Sequence, residues 1–321
     1  MNARDVTGAE QATLELRPAP PYSFDFALAY LASSPSSVLE TVDLDARGYE
    51  RALRIDGVDL LFELRATGSI EVPVLECRVT GERLTPELLA QATARINQIF
   101  LLDIDPAPFF AVAQADPILW RLVESQPGIR PLLVADPYEA LIFAIVGQQV
   151  NIAFARKMKL AWLERFGRRG VIGDREFVLV PEPERIAALD PADLLALQFS
   201  RQKASYTIGL SQAIVAGDLD LPALGRLPLD EAIAEMTRHK GIGRWTAEYV
   251  LMRGLGAPDS IPAGDLGLRK IIGRAYGLDH TASEAEVRAI AEAWTGWRGW
   301  AAFLWWLELQ TNGLAPFIPT V

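Results

Sequence analysis

Two patterns of apolar and polar positions meet near residue 105. Before it, short runs rich in β-branched and apolar residues alternate with turn signals: 49–55, then Asp56-Gly57, then 58–64, then Gly68 and 70–79. Asp-Gly between two such runs predicts a hairpin, because both turn positions need a positive φ that Asp and Gly tolerate. Residues 84–99 predict a helix, with Thr85 as cap, Pro86 at the first position and Glu87 in the first turn. A second helix is expected over 23–32, closed by Ser33-Ser34-Pro35. Residues 1–110 thus read as a small α+β domain.

Beyond 105 the apolar spacing becomes helical. Asp116-Pro117, Asp136-Pro137, Asp190-Pro191 and Leu229-Asp230-Glu231 each precede such a run. Gly128, Gly167, Gly217 and Gly277 supply helix stops. Only 177–180 looks strand-like. Residues 111–321 are therefore expected to form an all-helical region of roughly ten helices. The fold class is mainly α with an N-terminal α+β domain.

Composition narrows the chemistry. Half of the 321 residues are hydrophobic, enough for more than one core. No apolar run reaches the ~18–20 residues that span a bilayer. The opening MNARDVTGAEQ carries no apolar core segment, so no secretory signal is expected and a cytoplasmic location is. A single cysteine, Cys77, excludes a disulfide framework and a Cys-ligated zinc or iron–sulfur site, and two histidines make a His-rich metal site equally poor. The net charge of −10 argues, by itself, against a partner as anionic as nucleic acid. That charge is uneven. Residues 1–110 hold nine basic and seventeen acidic residues, or −8, leaving −2 for the remainder. The stretch 238–274 holds seven basic residues against Glu248, Asp259 and Asp265, a local +4.

That basic stretch contains the most informative segment, 230–253, DEAIAEMTRHKGIGRWTAEYVLMR. An amphipathic helix, a tight turn over 239–243 and a second helix from about Arg244 are expected. Gly241 and Gly243 allow close backbone approach, and the unpaired N–H groups opening the second helix form an anion site backed by the helix dipole. DNA phosphate is an obvious candidate anion, contacted without sequence readout.

The string 241–247, GIGRWTA, followed by Pro262-Ala263-Gly264-Asp265, resembles the helix–hairpin–helix DNA glycosylases of the 3-methyladenine DNA glycosylase II (alkylbase DNA glycosylase) branch. In that family an essential aspartate follows the second hairpin glycine by about twenty residues; here Gly243 and Asp265 are 22 apart. Pro20-Pro21-Tyr22 resembles the start of the branch's N-terminal domain. Gly147-Gln148-Gln149-Val150-Asn151 resembles its minor-groove wedge segment, and 294–306 its tryptophan-rich terminal helix. The likeness spans nearly the whole chain in the same order.

The resemblance implies roles for particular residues. Asp265 would be the catalytic carboxylate, stabilising positive charge on the sugar and orienting water; it also reads as a helix N-cap, and the two roles are compatible. Trp245, Tyr249, Trp306 and Tyr30 match the pocket aromatics, whose electron-rich faces attract a cationic alkylated base by ~0.5–2 kcal/mol. Trp294, Trp297, Trp300 and Trp305 are expected in the core. Gly241, Gly243, Arg244, Thr246 and Gln149 would contact DNA, with Gln149 as wedge where relatives carry an apolar residue. A monovalent cation would be held by the backbone carbonyls of Thr237, His239 and Ile242; no other cofactor is implied. Trp245 stands where strand-nicking relatives have a lysine nucleophile, which implies a monofunctional enzyme that leaves an abasic site. Gly267, just past Asp265, is expected to loosen that helix end at about 1 kcal/mol relative to Ala.

The expected function is hydrolytic excision of alkylated bases, 3-methyladenine first, from duplex DNA by a monomer. The alternatives are a non-catalytic helix–hairpin–helix DNA-binding protein and a related glycosylase for deaminated or oxidised bases. Asp265 discriminates against the first, since phosphate binding has no use for it.

Overall fold

The computed structural model describes residues 8–33 and 38–311. The chain opens with β1 (Glu10–Leu16), α1 (Phe24–Ala32), β2 (Glu40–Asp43), β3 (Gly48–Ile55), β4 (Val58–Ala66), β5 (Leu75–Gly81) and α2 (Pro86–Phe100). The strands form one antiparallel sheet in the order β1-β5-β4-β3-β2. Asp56 and Gly57 take φ of 48° and 75°, and Ile55 pairs with Val58, as the two-residue hairpin requires. Of the expected run 70–79 only its second half is strand; β5 begins at Leu75. Strands β1 and β2 carried no clear sequence signal, because β1 is largely exposed with acidic residues at Glu10 and Glu15, and β2 is only four residues long, two of them acidic.

Strand alternation sorts β3 and β4 between two layers. Leu60, Phe62 and Leu64 join Tyr49 and Leu53 against α1 and α2, where Phe24 and Phe100 meet with ring centroids 5.6 Å apart. Ala52 and Leu61 face the other way. Arg51 falls at the same period as Tyr49 and Leu53, so it points inward with them.

The helical part continues with α3 (Ala107–Gln114), α4 (Pro117–Glu124), α5 (Pro137–Gly147) and α6 (Ile152–Phe166). A hairpin follows, β6 (Arg168–Ile172) and β7 (Arg175–Leu179), then α7 (Pro183–Ala187), α8 (Pro191–Leu195), α9 (Arg201–Ala216) and α10 (Leu221–Leu224). The chain closes with α11 (Leu229–Thr237), α12 (Arg244–Arg253), α13 (Leu266–Ala275), α14 (Glu284–Ala291) and α15 (Arg298–Thr311). The β6–β7 hairpin corrects the all-helical expectation. Its Ile172 and Leu179 cover the outer face of the N-terminal sheet at Ala52 and Leu61, and ion pairs from Arg168 to Asp59 and Arg175 to Glu50 rim the contact.

Aspartate caps set the helix starts. Asp116 accepts the N–H groups of Ile118 and Leu119, Asp136 that of Tyr138, and Asp190 that of Ala192. Gly217 closes α9 with φ 80°. Gly128 does not close a helix. A side chain there would strike the Ser23 backbone nitrogen at 2.7 Å, so its job is close packing against the N-terminal segment. Among the described residues no helix is long and apolar enough to cross a membrane.

Two helical cores flank α12. One gathers α5, α6 and α9 around Trp162; the other gathers α4, α13 and α15 around Trp294, Trp300 and Trp305. Helix α12 gives Ala247, Val250 and Leu251 to the first and Met252 to the second. It is the seam of the helical region, and the residues that follow its opening turn inherit that rigidity.

Candidate active site

The hairpin is α11, the turn 239–243 and α12. Gly241 has φ 100°, and a Cβ there would sit 2.5 Å from the Tyr206 ring; the fold alone demands glycine. Gly243 differs. Its φ is −89°, an added Cβ would meet nothing within 4 Å, and the residue is exposed. Packing within the chain gives no reason for glycine there, which leaves close approach from outside. Helix α12 starts without a side-chain cap, so its opening N–H groups are available to a ligand.

Thr246 does not present its side chain outward. It is 2% exposed, and its hydroxyl accepts a hydrogen bond from Gln148 Nε2 at 3.1 Å; the same amide nitrogen donates to the Gly241 carbonyl at 2.9 Å. Any contact of Thr246 with an anion is thereby confined to its backbone N–H. Gln148 stands out as a residue that sequence reasoning passed over in favour of its neighbour. Gln149 is exposed in a left-handed conformation with φ 57°. Arg244 is likewise engaged: its Nε donates to the buried Glu248 carboxylate at 2.8 Å. Arg288 Nη2 reaches the same carboxylate at 2.8 Å and 3.1 Å. Burial raises the Glu248 carboxyl above its ordinary value despite the pull of Arg288 and Arg244. Ser260 donates to the Glu248 carbonyl at 2.9 Å, tying the loop 254–265 to α12.

That loop delivers Asp265 as N-cap of α13. Its Oδ1 accepts the Leu268 N–H at 2.8 Å and the Trp306 indole N–H at 3.1 Å. Both bonds fall on one oxygen, which leaves Oδ2 for another partner. Gly267 plays a different part from the loosening expected of it. A Cβ at that position would lie 2.6 Å from Leu309 Cδ2 and 3.1 Å from Asp265 Oδ1, so glycine makes room beside the carboxylate.

Trp245 and Tyr249, one helical turn apart on α12, stack at 5.7 Å with their planes 30° apart. Trp306 on α15 meets Tyr249 at 6.0 Å, and Phe143 on α5 meets it at 6.1 Å. Tyr30 accepts a hydrogen bond from Arg253 Nη2 at 3.2 Å and packs on Phe303 at 5.2 Å. Burial pushes the Tyr249 phenol well above the usual range, so it is neutral at any working pH. Tyr30, Phe143, Trp245, Tyr249, Trp306 and Asp265 line one cavity of about 430 Å³. Of the loop 147–151, Gly147 and Val150 reach the cavity wall and Gln149 does not. Trp294, Trp300 and Trp305 are buried in the core; Trp294 donates its indole N–H to Asp116 at 2.9 Å. Trp294 lies in a 3₁₀ turn, and a left-handed Gly296 parts it from Trp297, which immediately precedes α15, so these tryptophans do not share one helix.

The inner end of the cavity is charged, a feature absent from the sequence reading. Arg51 Nη2 and Lys159 Nζ bond the two oxygens of buried Glu139 at 2.7 Å and 2.5 Å. Arg51 Nη1 also reaches Glu40 at 3.2 Å, and Glu40 accepts the Tyr49 hydroxyl at 2.8 Å. Burial disfavours the Glu139 carboxylate, but Lys159 and Arg51 outweigh it and hold the carboxyl at about 2. The cluster joins β2 and β3 of the N-terminal sheet to α5 and α6.

At the hairpin, the His239 carbonyl accepts the Ile242 N–H at 3.1 Å and keeps a second lone pair. Among the described residues no cluster of His, Cys, Asp and Glu is suited to a metal ion.

A helix–hairpin–helix ahead of a half-buried aspartate, beside an aromatic cavity, defines a class of DNA repair proteins. The profile described as HhH-GPD superfamily base excision DNA repair protein matches residues 142–296, and that of the AlkA N-terminal domain matches 13–132. The chain belongs to this superfamily and is a base excision repair glycosylase. It is 34% identical over 214 residues to the DNA-3-methyladenine glycosylase of Bacillus subtilis, covering 67% of this chain and 71% of that one. It is 30% identical to DNA-3-methyladenine glycosylase 2 of Escherichia coli over 90% of this chain and 95% of that one. The structure of a 3-methyladenine DNA-glycosylase from Archaeoglobus fulgidus shares the fold, with a TM-score of 0.79, 23% identity and coverage of 94% and 99%.

Proposed function

We propose that the protein is a monofunctional DNA N-glycosylase that hydrolytically releases alkylated purines, 3-methyladenine first, from duplex DNA. The observation that carries the reading is Asp265, fixed through Oδ1 by α13 and Trp306, with Oδ2 unengaged in a cavity walled by Trp245, Tyr249 and Trp306.

A damaged base must leave the stack to reach that cavity, at a cost of a few kcal/mol that falls when the base is damaged. The stacked Trp245–Tyr249 pair and Trp306 offer faces to its delocalised positive charge. As the C1′–N bond breaks, charge moves to the sugar, and the Asp265 carboxylate stabilises it electrostatically while orienting water toward C1′. The bonding pair leaves with the base, whose ring charge it cancels. Trp245 supplies no amine, so no Schiff base forms and the strand stays intact.

Gly243 and the N–H groups opening α12 hold a backbone phosphate, with Gly241 shaping the turn and Arg244 beside it. Gln149, exposed at the loop tip, fills the gap the base leaves. The carbonyl oxygens of Thr237, His239 and Ile242 are hard donors suited to a monovalent cation, which would add positive charge next to that phosphate. The enzyme acts as a monomer on DNA in the cytoplasm or nucleoid.

The test is release of free 3-methyladenine from methylated duplex DNA by the wild type and Asp265→Asn. The wild type is expected to release it, and the variant to fall by at least about two orders of magnitude, as for loss of one electrostatic stabiliser. Equal release by both would sink the catalytic assignment. Release by neither would favour a binding protein or an enzyme for other lesions.

A further inference from the structure

The face of α6 that lines the cavity changes character along its length. Ile152, Ala155, Arg156 and Lys159 lie at i, i+3, i+4 and i+7, so one helical stripe runs from an apolar start to two cations. Lys159 is taken by Glu139. Arg156 is half-buried and makes no hydrogen bond or ion pair among the described residues. Burial raises the Tyr249 phenol, and Arg253 and, more weakly, Arg156 pull it down.

A free guanidinium is a poor neighbour for a cationic base, because it repels the ring that the aromatic wall attracts. The cavity is also generous. At about 430 Å³ it falls within the range of sites for drug-sized ligands, which are larger than one methylated purine. Surplus room and an unmatched cation both make sense for a purine that carries positive charge on its ring and a negative group on its alkyl arm.

We propose, building on the glycosylase reading, that the cavity takes carboxyalkylated purines, of which 7-carboxymethylguanine is the simplest. The ring rests on the Trp245–Tyr249–Trp306 wall, and the arm's carboxylate meets Arg156, whose planar fork matches it. The C1′–N9 bond breaks with its electron pair going to N9, which cancels the ring charge. Water gives its hydroxyl to C1′ and its proton to solvent, and the base departs with its carboxylate intact. A neutral side chain at 156 removes the partner of the arm and leaves the ring's contacts in place.

The experiment uses two duplexes, one with 7-methylguanine and one with 7-carboxymethylguanine, and measures free base released by the wild type, Arg156→Gln and Arg156→Lys. The wild type should release both. Arg156→Gln should leave 7-methylguanine release unchanged or raised, since the ring loses a repelling neighbour, and lose carboxymethyl release by about tenfold or more, as for loss of a charge-assisted contact. Arg156→Lys should recover part of that loss. Release of 7-methylguanine alone by the wild type overturns this proposal and spares the glycosylase reading; release of neither lesion overturns this proposal, and the glycosylase reading falls with it only if 3-methyladenine is not released from methylated duplex either. Equal losses on both duplexes overturn it too, and would place Arg156 on the DNA backbone.

Discussion

Substituting alanine for Gly267 should separate the stability of this protein from its activity. Gly267 is the second residue of α13, and its φ is not in the left-handed region, so alanine fits the backbone. Alanine in a helix gains up to about 1 kcal/mol over glycine. For a chain of this size that amounts to a rise of about 2 °C in Tm. The new Cβ would overlap Leu309 Cδ2 at 2.6 Å, but Leu309 is exposed and its side chain can turn away. The second neighbour has less freedom. Asp265 Oδ1 would lie 3.1 Å from the Cβ and must give by a few tenths of an ångström. Its bond from Trp306 is already 3.1 Å long, so a shift of that size carries it toward the ~3.5 Å limit of a hydrogen bond. A hydrogen bond to a charged group is worth about 1.5–3 kcal/mol, and the lower figure suits this half-buried site. About 1.5 kcal/mol of lost positioning is roughly a tenfold fall in rate. Gly267→Ala should therefore melt no lower than the wild type while its single-turnover release of 3-methyladenine drops about tenfold. A full rate would refute the view that Gly267 makes room for the carboxylate. A lower Tm would refute the view that Leu309 yields freely.

The two hairpin glycines should behave differently. Gly241→Ala combines a φ of 100° with overlap on Tyr206 and should destabilise the fold by about 1–3 kcal/mol in urea melts. Gly243→Ala should melt within about 1 kcal/mol of the wild type yet bind duplex DNA more weakly in anisotropy titrations; unchanged affinity would remove Gly243 from the phosphate contact. Glu139→Gln leaves Lys159 without a counter-charge and Arg51 with Glu40 alone, and should cost about 3 kcal/mol at pH 7. The folded Glu139 carboxyl lies at about 2 against an ordinary 4.5, so its stabilisation is complete above 4.5 and fades as pH falls toward 2. The gap between wild type and Glu139→Gln should narrow across that window; a gap independent of pH would contradict the ionised pairing.

Much of this was legible in the sequence, because the informative signals are local. Asp56-Gly57, Thr85-Pro86 and the Asp-Pro caps fix chain geometry within four residues. The hairpin glycines and Asp265 sit in one short stretch. The missing parts depend on contacts between distant segments. Arg51 and Glu139 are 88 residues apart and meet only because the sheet docks on α5 and α6. The stripe of Ile152, Arg156 and Lys159 has helical spacing, but as sequence it resembles any solvated helix face. Gly267 looked like a weakness in a helix until Leu309 and the carboxylate were seen beside it. Gln148 and Gln149 are the same residue type, and only the fold says which one turns inward.

Gln148 also has a mechanical meaning. Its amide bridges the loop 147–151 to the hairpin turn and to α12. Under the proposed function, the part that grips the strand and the part that pries open the stack are one lever with no joint between them. Such a lever cannot slide its grip while the tip stays inserted. Search along DNA would then proceed in separate bites, each ending when the grip lets go, and the same contact would set both the pace of the search and the thoroughness of each inspection.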